Sequence, residues 1–131
     1  MRVVKGIYDD DGQLMLISTL TQDNHMMGVL AYVGITTGLR ISDLLELNVR
    51  QIVDDNGLFI VRESKTGKEV EIEMDAQGFE LVKTYIDLCQ LQLDDKLFPT
   101  TRQTVHNYFK RACAFLNLHD ISVHSMRKTY A

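Results

Sequence analysis

Apolar side chains recur at helical spacing over residues 13–20 and 24–36. The first run holds Leu14, Ile17 and Leu20, the second Met26, Met27, Leu30 and Val33. Two helices are expected, meeting at a polar step where Asp23 or Asn24 can cap the second. Gly38 can end that second helix in the left-handed conformation. Ser42 then reads as the cap of a short helix over "DLLEL". Within "TTGLRISDLLELN", residues 36–48, one arginine, Arg40, stands between two apolar runs.

The period then changes. "QIVDDNGLFIVRESKTGKEVEIEM" holds β-rich runs broken by Asp-Asp-Asn-Gly and by Ser-Lys-Thr-Gly-Lys. It predicts a three-stranded antiparallel meander with two hairpin turns. Val70, Ile72 and Met74 alternate with Glu69, Glu71 and Glu73, so the sheet should have one wet face. Asp75 can cap a helix over "AQGFELVKTYIDLCQLQ". "LFPTT" is a loop capping another over roughly 102–116, and Ser122 can cap a last one over "VHSMRKTYA". Helices, a small sheet and more helices make an α+β class, mostly helical. Ala131 falls only about two turns into the last helix, too short to bury much of its apolar face.

Composition narrows this little. The 131 residues suit one domain with a real core, and 45% apolar with 24% charged residues is a soluble globular mixture. No apolar run is long enough to span a bilayer, and the N-terminus turns acidic before a signal-peptide core forms, so a cytoplasmic protein is expected. Cys89 and Cys113 sit in apolar helical contexts and read as buried free thiols in a reducing compartment. No Cys/His spacing resembles a zinc site, and no metal is expected. The net charge of −4 argues against nucleic acid when taken alone. Yet the acids crowd residues 9–11, 54–55 and 69–75, while bases gather in "VRESKTGK", "YFKRA" and "HSMRK". An acidic chain can still carry a basic face.

Four basic residues fall at predicted element boundaries: Arg40 between helices, Lys65 in a hairpin turn, and His124 and Arg127 in the first turn of the last helix. His124 and Arg127, three apart, share a helix face. Two guanidiniums, an imidazole and a mobile ammonium suit a phosphate diester gaining charge in a transition state. Arginine grips phosphate oxygens bidentately and stays charged.

These segments, "TTGLRISDLLELN", "SKTGK" between strands and "HSMRKTYA", resemble the tyrosine recombinase (phage integrase) family, from about residue 20 onward. They look like its Thr-Gly-x-Arg-x-Ser-Glu/Asp box, its Lys β-hairpin and its His-x-x-Arg box, in family order. The resemblance implies the DNA breaking-rejoining catalytic fold. It implies that Arg40 and Arg127 clamp the scissile phosphate, that His124 hydrogen-bonds it, and that Lys65 protonates the leaving 5′-oxygen. Asp43 would orient the site without reacting. The partner would be double-stranded DNA, with self-association on it. The cutting hydroxyl would be a tyrosine's, giving a 3′-phosphotyrosyl link without metal, cofactor or small-molecule substrate. The family nucleophile lies on a later helix, and Tyr130 matches an aromatic packing position instead. Residues 1–131 are thus expected to be a partial catalytic domain, without the nucleophile or the N-terminal DNA-encircling domain, and inactive alone.

Competing readings stand beside this one. Arg40 alone reads as an ion-pair partner of Asp43 or Glu46, and Lys65 as a solvated turn residue, with Lys68 a near rival. "TGKE" is not a phosphate-binding P-loop, because the earlier glycine is missing. His25, His106 and His119 read as surface or capping residues. Lys110 and Arg111 are possible DNA-backbone contacts on a helix that approaches DNA in the family. A non-catalytic DNA-binding remnant is the first alternative function. A helical interaction protein with buried arginine salt bridges is the second.

Overall fold

The structure, a computed structural model, describes residues 10–116. Its elements, in chain order, are α1 (Asp10–Asp23), α2 (His25–Thr37), α3 (Ile41–Leu44), α4 (Val49–Val53), β1 (Leu58–Arg62), β2 (Glu69–Glu73), α5 (Ala76–Leu88) and α6 (Arg102–Phe115). The expected helix beginning near Ser122 lies outside the described residues.

Helix α2 is the hub. It buries Met27, Val29, Leu30, Ala31, Val33 and Ile35, so it is apolar on nearly every side and must be covered all round. Helix α1 covers one side with Leu16 and Leu20, and α5 another with Val82, Tyr85 and Ile86. Helix α6 packs on α1. The α1–α2 crossing is close: a Cβ on Gly28 would lie 2.9 Å from the Thr21 backbone Cα. Asn24 takes the N-cap, accepting from the Met27 N–H, and Gly38 ends α2 with φ 73°. Both follow from the sequence.

The sheet differs from expectation. Among the described residues it has two strands, paired antiparallel with Phe59 opposite Ile72 and Val61 opposite Val70. The residues expected to form a first strand, "QIV", lie in α4. Asn48 accepts from the Gln51 N–H at 2.8 Å, and Gln51 accepts from the Asn48 N–H, a reciprocal cap that starts a helix. The connection after α5 then satisfies first-turn donors, with Val49 N–H on the Asp95 carbonyl and Arg50 N–H on that of Leu93. Local capping plus these distant acceptors override the β-branched composition. Asn56 and Gly57, at φ 53° and 90°, then turn the chain into β1. The wet face expected of β2 is present, with Glu69, Glu71 and Glu73 exposed and Ile72 buried.

Asp75 caps α5 and Thr101 caps α6. Arg40, not Ser42, is the N-cap of α3, and it caps without a side-chain bond. Cys113 is buried and free, but Cys89 is free and exposed, because α5 ends one residue before it and its side chain falls beyond the buried face.

Candidate active site

The chain leaves α2 through Gly38 and extends for two residues. Leu39 is buried and anchors the crossing, and Arg40 is half-buried. The Arg40 carbonyl accepts from the N–H groups of Asp43 and Leu44 at 3.0 and 2.9 Å, so its backbone is fixed by the first turn of α3. Its side chain takes no part in capping, and its Nε is buried without a hydrogen-bond partner among the described residues.

The two acids proposed as its ion-pair partners are engaged otherwise. Glu46 pairs with Lys96 at 3.0 Å. Asp43, 2% exposed, accepts the Ser64 backbone N–H at 3.1 Å through Oδ1. Its other oxygen, Oδ2, is buried and unbonded. Among the described residues Arg40 makes no salt bridge. The Arg40 Nε–H and the Asp43 Oδ2, both buried and both without a partner among the described residues, are costly for stability.

Ser64 opens the β1–β2 turn, and Lys65 follows it. The turn closes on itself: Glu63 donates its N–H to the Lys68 carbonyl, Gly67 donates to Glu63 (each 2.8 Å), and Lys68 donates to Thr66 Oγ1. Gly67, at φ 71°, has open space around it. Lys65 is exposed and, among the described residues, pairs with no carboxylate. The fold therefore joins the helix carrying Arg40 to the turn carrying Lys65, through Asp43 and Ser64. A second link joins the same elements, with the hydroxyls of Ser42 and Ser64 3.4 Å apart. His124 and Arg127, and Tyr130 with them, lie outside the described residues.

Helix α6 buries Val105, Phe109, Ala112 and Cys113. Its other face exposes Arg102, Gln103, His106, Asn107 and Lys110. Gln103 donates to Asn107 at 3.0 Å along this face. Lys110 belongs to that polar row and makes no ion pair among the described residues. Arg111 does not share its freedom. It pairs with Asp23 of α1 at 2.8 Å and lies 4.6 Å from the Tyr108 ring centroid. Hydrogen bonding to Asp23 raises its pKa further above the usual arginine value, with the Coulomb attraction of the same carboxylate next. The row at 102, 103, 106, 107 and 110 forms a polar helical stripe, from which the sequence analysis names Lys110 as a possible backbone contact and His106 as a surface or capping residue. Ser64 lies in the "SKTGK" segment, but its link to Asp43 is not readable from sequence because it runs through a backbone N–H. His25, read as a surface or capping residue, is half-buried, with its ring 5.8 Å from that of Tyr85.

Among curated proteins, no sequence matches this chain. Solved structures do. A lambda integrase dimer bound to a COC′ core site matches with TM-score 0.77 and 21% identity, covering 99% of this chain and 50% of that one. The XerA recombinase matches with TM-score 0.77 and 19% identity, over 99% and 50% respectively. The lambda integrase catalytic core matches with TM-score 0.70 and 24% identity, over 98% and 84%. The chain thus spans about half the length of the first two and most of the third. These likenesses establish the fold. The phage integrase family model matches residues 13–131. With that match over nearly all of the sequence, the chain belongs to the phage integrase family and carries the tyrosine recombinase catalytic-domain fold.

Proposed function

We propose that this chain is the phosphate-clamping part of a tyrosine-type, site-specific DNA recombinase acting on double-stranded DNA in the cytoplasm. The observation that carries the reading is Arg40, whose Nε has no hydrogen-bond partner and which makes no salt bridge among the described residues, at the N-cap of a helix that Asp43 ties to the Lys65 turn. A cation kept free of its neighbouring acids, at a half-buried position, is suited to an anion brought from outside.

In this reading Arg40 and Arg127 hold the non-bridging oxygens of the scissile phosphate, and His124 donates to one of them. A tyrosine hydroxyl attacks phosphorus and loses its proton to water or a neighbouring base as the new O–P bond forms. The bond from phosphorus to the 5′-oxygen breaks, Lys65 delivers a proton to that oxygen, and a 3′-phosphotyrosyl link remains. The bond energy is kept, so a second 5′-hydroxyl can reverse the step and exchange strands. Asp43 positions and does not react. Tyr130 is not assigned the nucleophile's role, and residues 1–131 alone are expected to bind DNA without cutting it. Copies of the protein would assemble on the DNA, as the lambda integrase dimer does on its core site.

The test is Arg40→Ala in the protein's natural reading frame, assayed on a nicked duplex that traps the phosphotyrosyl adduct. The adduct should fall by about a hundredfold or more, in line with the loss of one transition-state donor. The unfolding free energy from urea titration should stay within about 1 kcal/mol of wild type, because Arg40 pairs with no acid among the described residues. Unchanged DNA binding with a large loss of stability would instead identify a structural arginine.

A further inference from the structure

We infer that the outward face of the β1–β2 hairpin is a docking surface for a basic protein segment, one that presents an apolar side chain between lysines or arginines. Residues directly opposite on paired strands point to the same face. On the outward face the register sets Leu58 opposite Glu73, Ile60 opposite Glu71 and Arg62 opposite Glu69. Of these three pairs the last is charge-matched, with Arg62 3.2 Å from Glu69. Toward the other end of the hairpin, two apolar side chains face two glutamates. Ile60 is 54% exposed. Glu71 and Glu73 are exposed and make no ion pair among the described residues.

A groove of about 260 Å³ lies beside them, lined by Gln51, Asp55, Leu58, Phe59, Ile60 and Glu71. Its two ionisable groups, Asp55 and Glu71, are both acids, and Glu73 adjoins it across the strand from Leu58. Other exposed acids have cations beside them: Glu46 has Lys96, Asp94 has Arg50 and Glu80 has Lys83. Here an apolar floor meets three carboxylates that have none among the described residues. Phosphates would meet like charge, so this face does not suit nucleic acid. It suits a cationic partner, whose Lys or Arg stems can also cover the apolar floor. The partner does not add a strand to the sheet. The bonds from Glu63 to Lys68 and from Met74 to Gly57 fix the ladder, so Ile60 turns its carbonyl to the outer edge. Gln51 Nε2 already holds that carbonyl at 2.8 Å. The segment lies across the face instead, with its apolar side chain against Leu58 and Ile60 and its cations toward Asp55, Glu71 and Glu73. None of this depends on the recombinase reading.

The experiment follows backbone amide shifts of the protein in its natural reading frame while the peptide acetyl-Gly-Lys-Leu-Lys-Gly-amide is added. The amides of Leu58, Ile60 and Glu71 should shift together, with a dissociation constant of about 1 mM, as suits so small a ligand. Acetyl-Gly-Glu-Leu-Glu-Gly-amide should shift none of them. Glu71→Lys should weaken binding about tenfold or more, and Ile60→Ala about threefold. Both side chains are exposed, so the thermal midpoints should not move. Raising the salt tenfold on the wild-type protein should weaken binding several-fold, which repeats the charge test without a variant. No shift at these amides by about 10 mM peptide, ten times the expected constant, overturns the inference. So do equal shifts with the glutamate peptide, or binding that survives both Glu71→Lys and high salt. Ile60 shifts that follow protein concentration without peptide would make the occupant a second copy, and overturn it too.

Discussion

The Asp43 carboxylate accepts the Ser64 amide at 3.1 Å across 21 residues of chain, while its second oxygen stays buried and, among the described residues, unbonded. Half of this side chain is thus used and half carries a desolvation cost. Asp43→Asn keeps an acceptor for Ser64 and removes the buried charge. It is expected to fold with stability within about 1 kcal/mol of wild type, or above it. Asp43→Ala leaves the Ser64 N–H unsatisfied and should lose about 1–3 kcal/mol. Urea unfolding of both variants checks this. If Asn costs as much as Ala, the charge itself holds the fold, and Arg40 is its electrostatic partner.

The elements that sequence patterning exposed were those with their own local signals. Asn24, Asp75 and Thr101 are polar caps ahead of apolar periodicity, and Gly38 is the only common residue at ease at its φ of 73°. Reading Ser42 as a cap and Cys89 as buried failed locally, at helix ends, and the other failures were largely non-local. "QIV" reads as strand by composition, and α4 wins because the Asn48–Gln51 cap is joined by the Asp95 and Leu93 carbonyls, over forty residues away, which accept its first donors. Arg40 and Lys65 were legible as residue types in a motif. Their connection was not, because it runs through a backbone N–H, which every residue but proline possesses.

Lys110 and Arg111 adjoin in sequence but should separate in experiment. Arg111→Ala breaks an exposed ion pair to Asp23 and a contact with the Tyr108 ring. It should lower the thermal midpoint only slightly, as expected of a solvent-exposed ion pair, and leave the salt dependence of DNA binding unchanged. Lys110→Ala should leave the thermal midpoint alone. It should weaken binding alike on all sequences and lower the logarithmic salt slope by about one, the signature of one lost phosphate contact. Fluorescence anisotropy over a salt series, alongside thermal melts, reads both. A slope change confined to Arg111→Ala would reverse the assignment.

Gln90 holds φ 54° just after α5, with the following Leu91 N–H bonded to the Ile86 carbonyl at 3.0 Å. This is the left-handed position after a helix end, where a side chain costs about 1–2 kcal/mol and glycine costs nothing in sterics. Gln90→Gly should therefore stabilise the protein by about 1 kcal/mol, despite the greater freedom glycine has when unfolded. Asn56, at φ 53°, should gain less from glycine, because asparagine tolerates this region. Paired thermal melts of the two variants would show it; equal gains would mean that the side chain, not the backbone region, sets the cost.

Tyr85 links the core to pH. Its ring is 1% exposed, beside His25 and Phe98, and its hydroxyl donates to the Leu97 carbonyl at 2.7 Å. Burial pushes its pKa well above the usual value of 10.0, and the nearby Cys89 thiol, when ionised, adds in the same direction. The folded protein therefore keeps this proton at a pH where the unfolded chain has lost it. Stability from this group is complete below about pH 10 and is lost as pH rises toward the folded-state value, by up to about 1.4 kcal/mol per pH unit. Burial raises Cys113 as well, so a decline of the same sign starts earlier, near the ordinary thiol value of 9.0. Tyr32, raised by burial and then by Asp75, adds to the loss above pH 10. Tyr85→Phe deletes one of these groups and leaves the Leu97 carbonyl without its donor. At pH 7 the variant should be less stable by about 1–2 kcal/mol. Above about pH 10 its stability should fall less steeply, so that the two curves converge. Urea unfolding from pH 7 to 11 tests both limbs, and curves that stay parallel would mean that Tyr85 ionises as readily in the folded protein as in the unfolded chain.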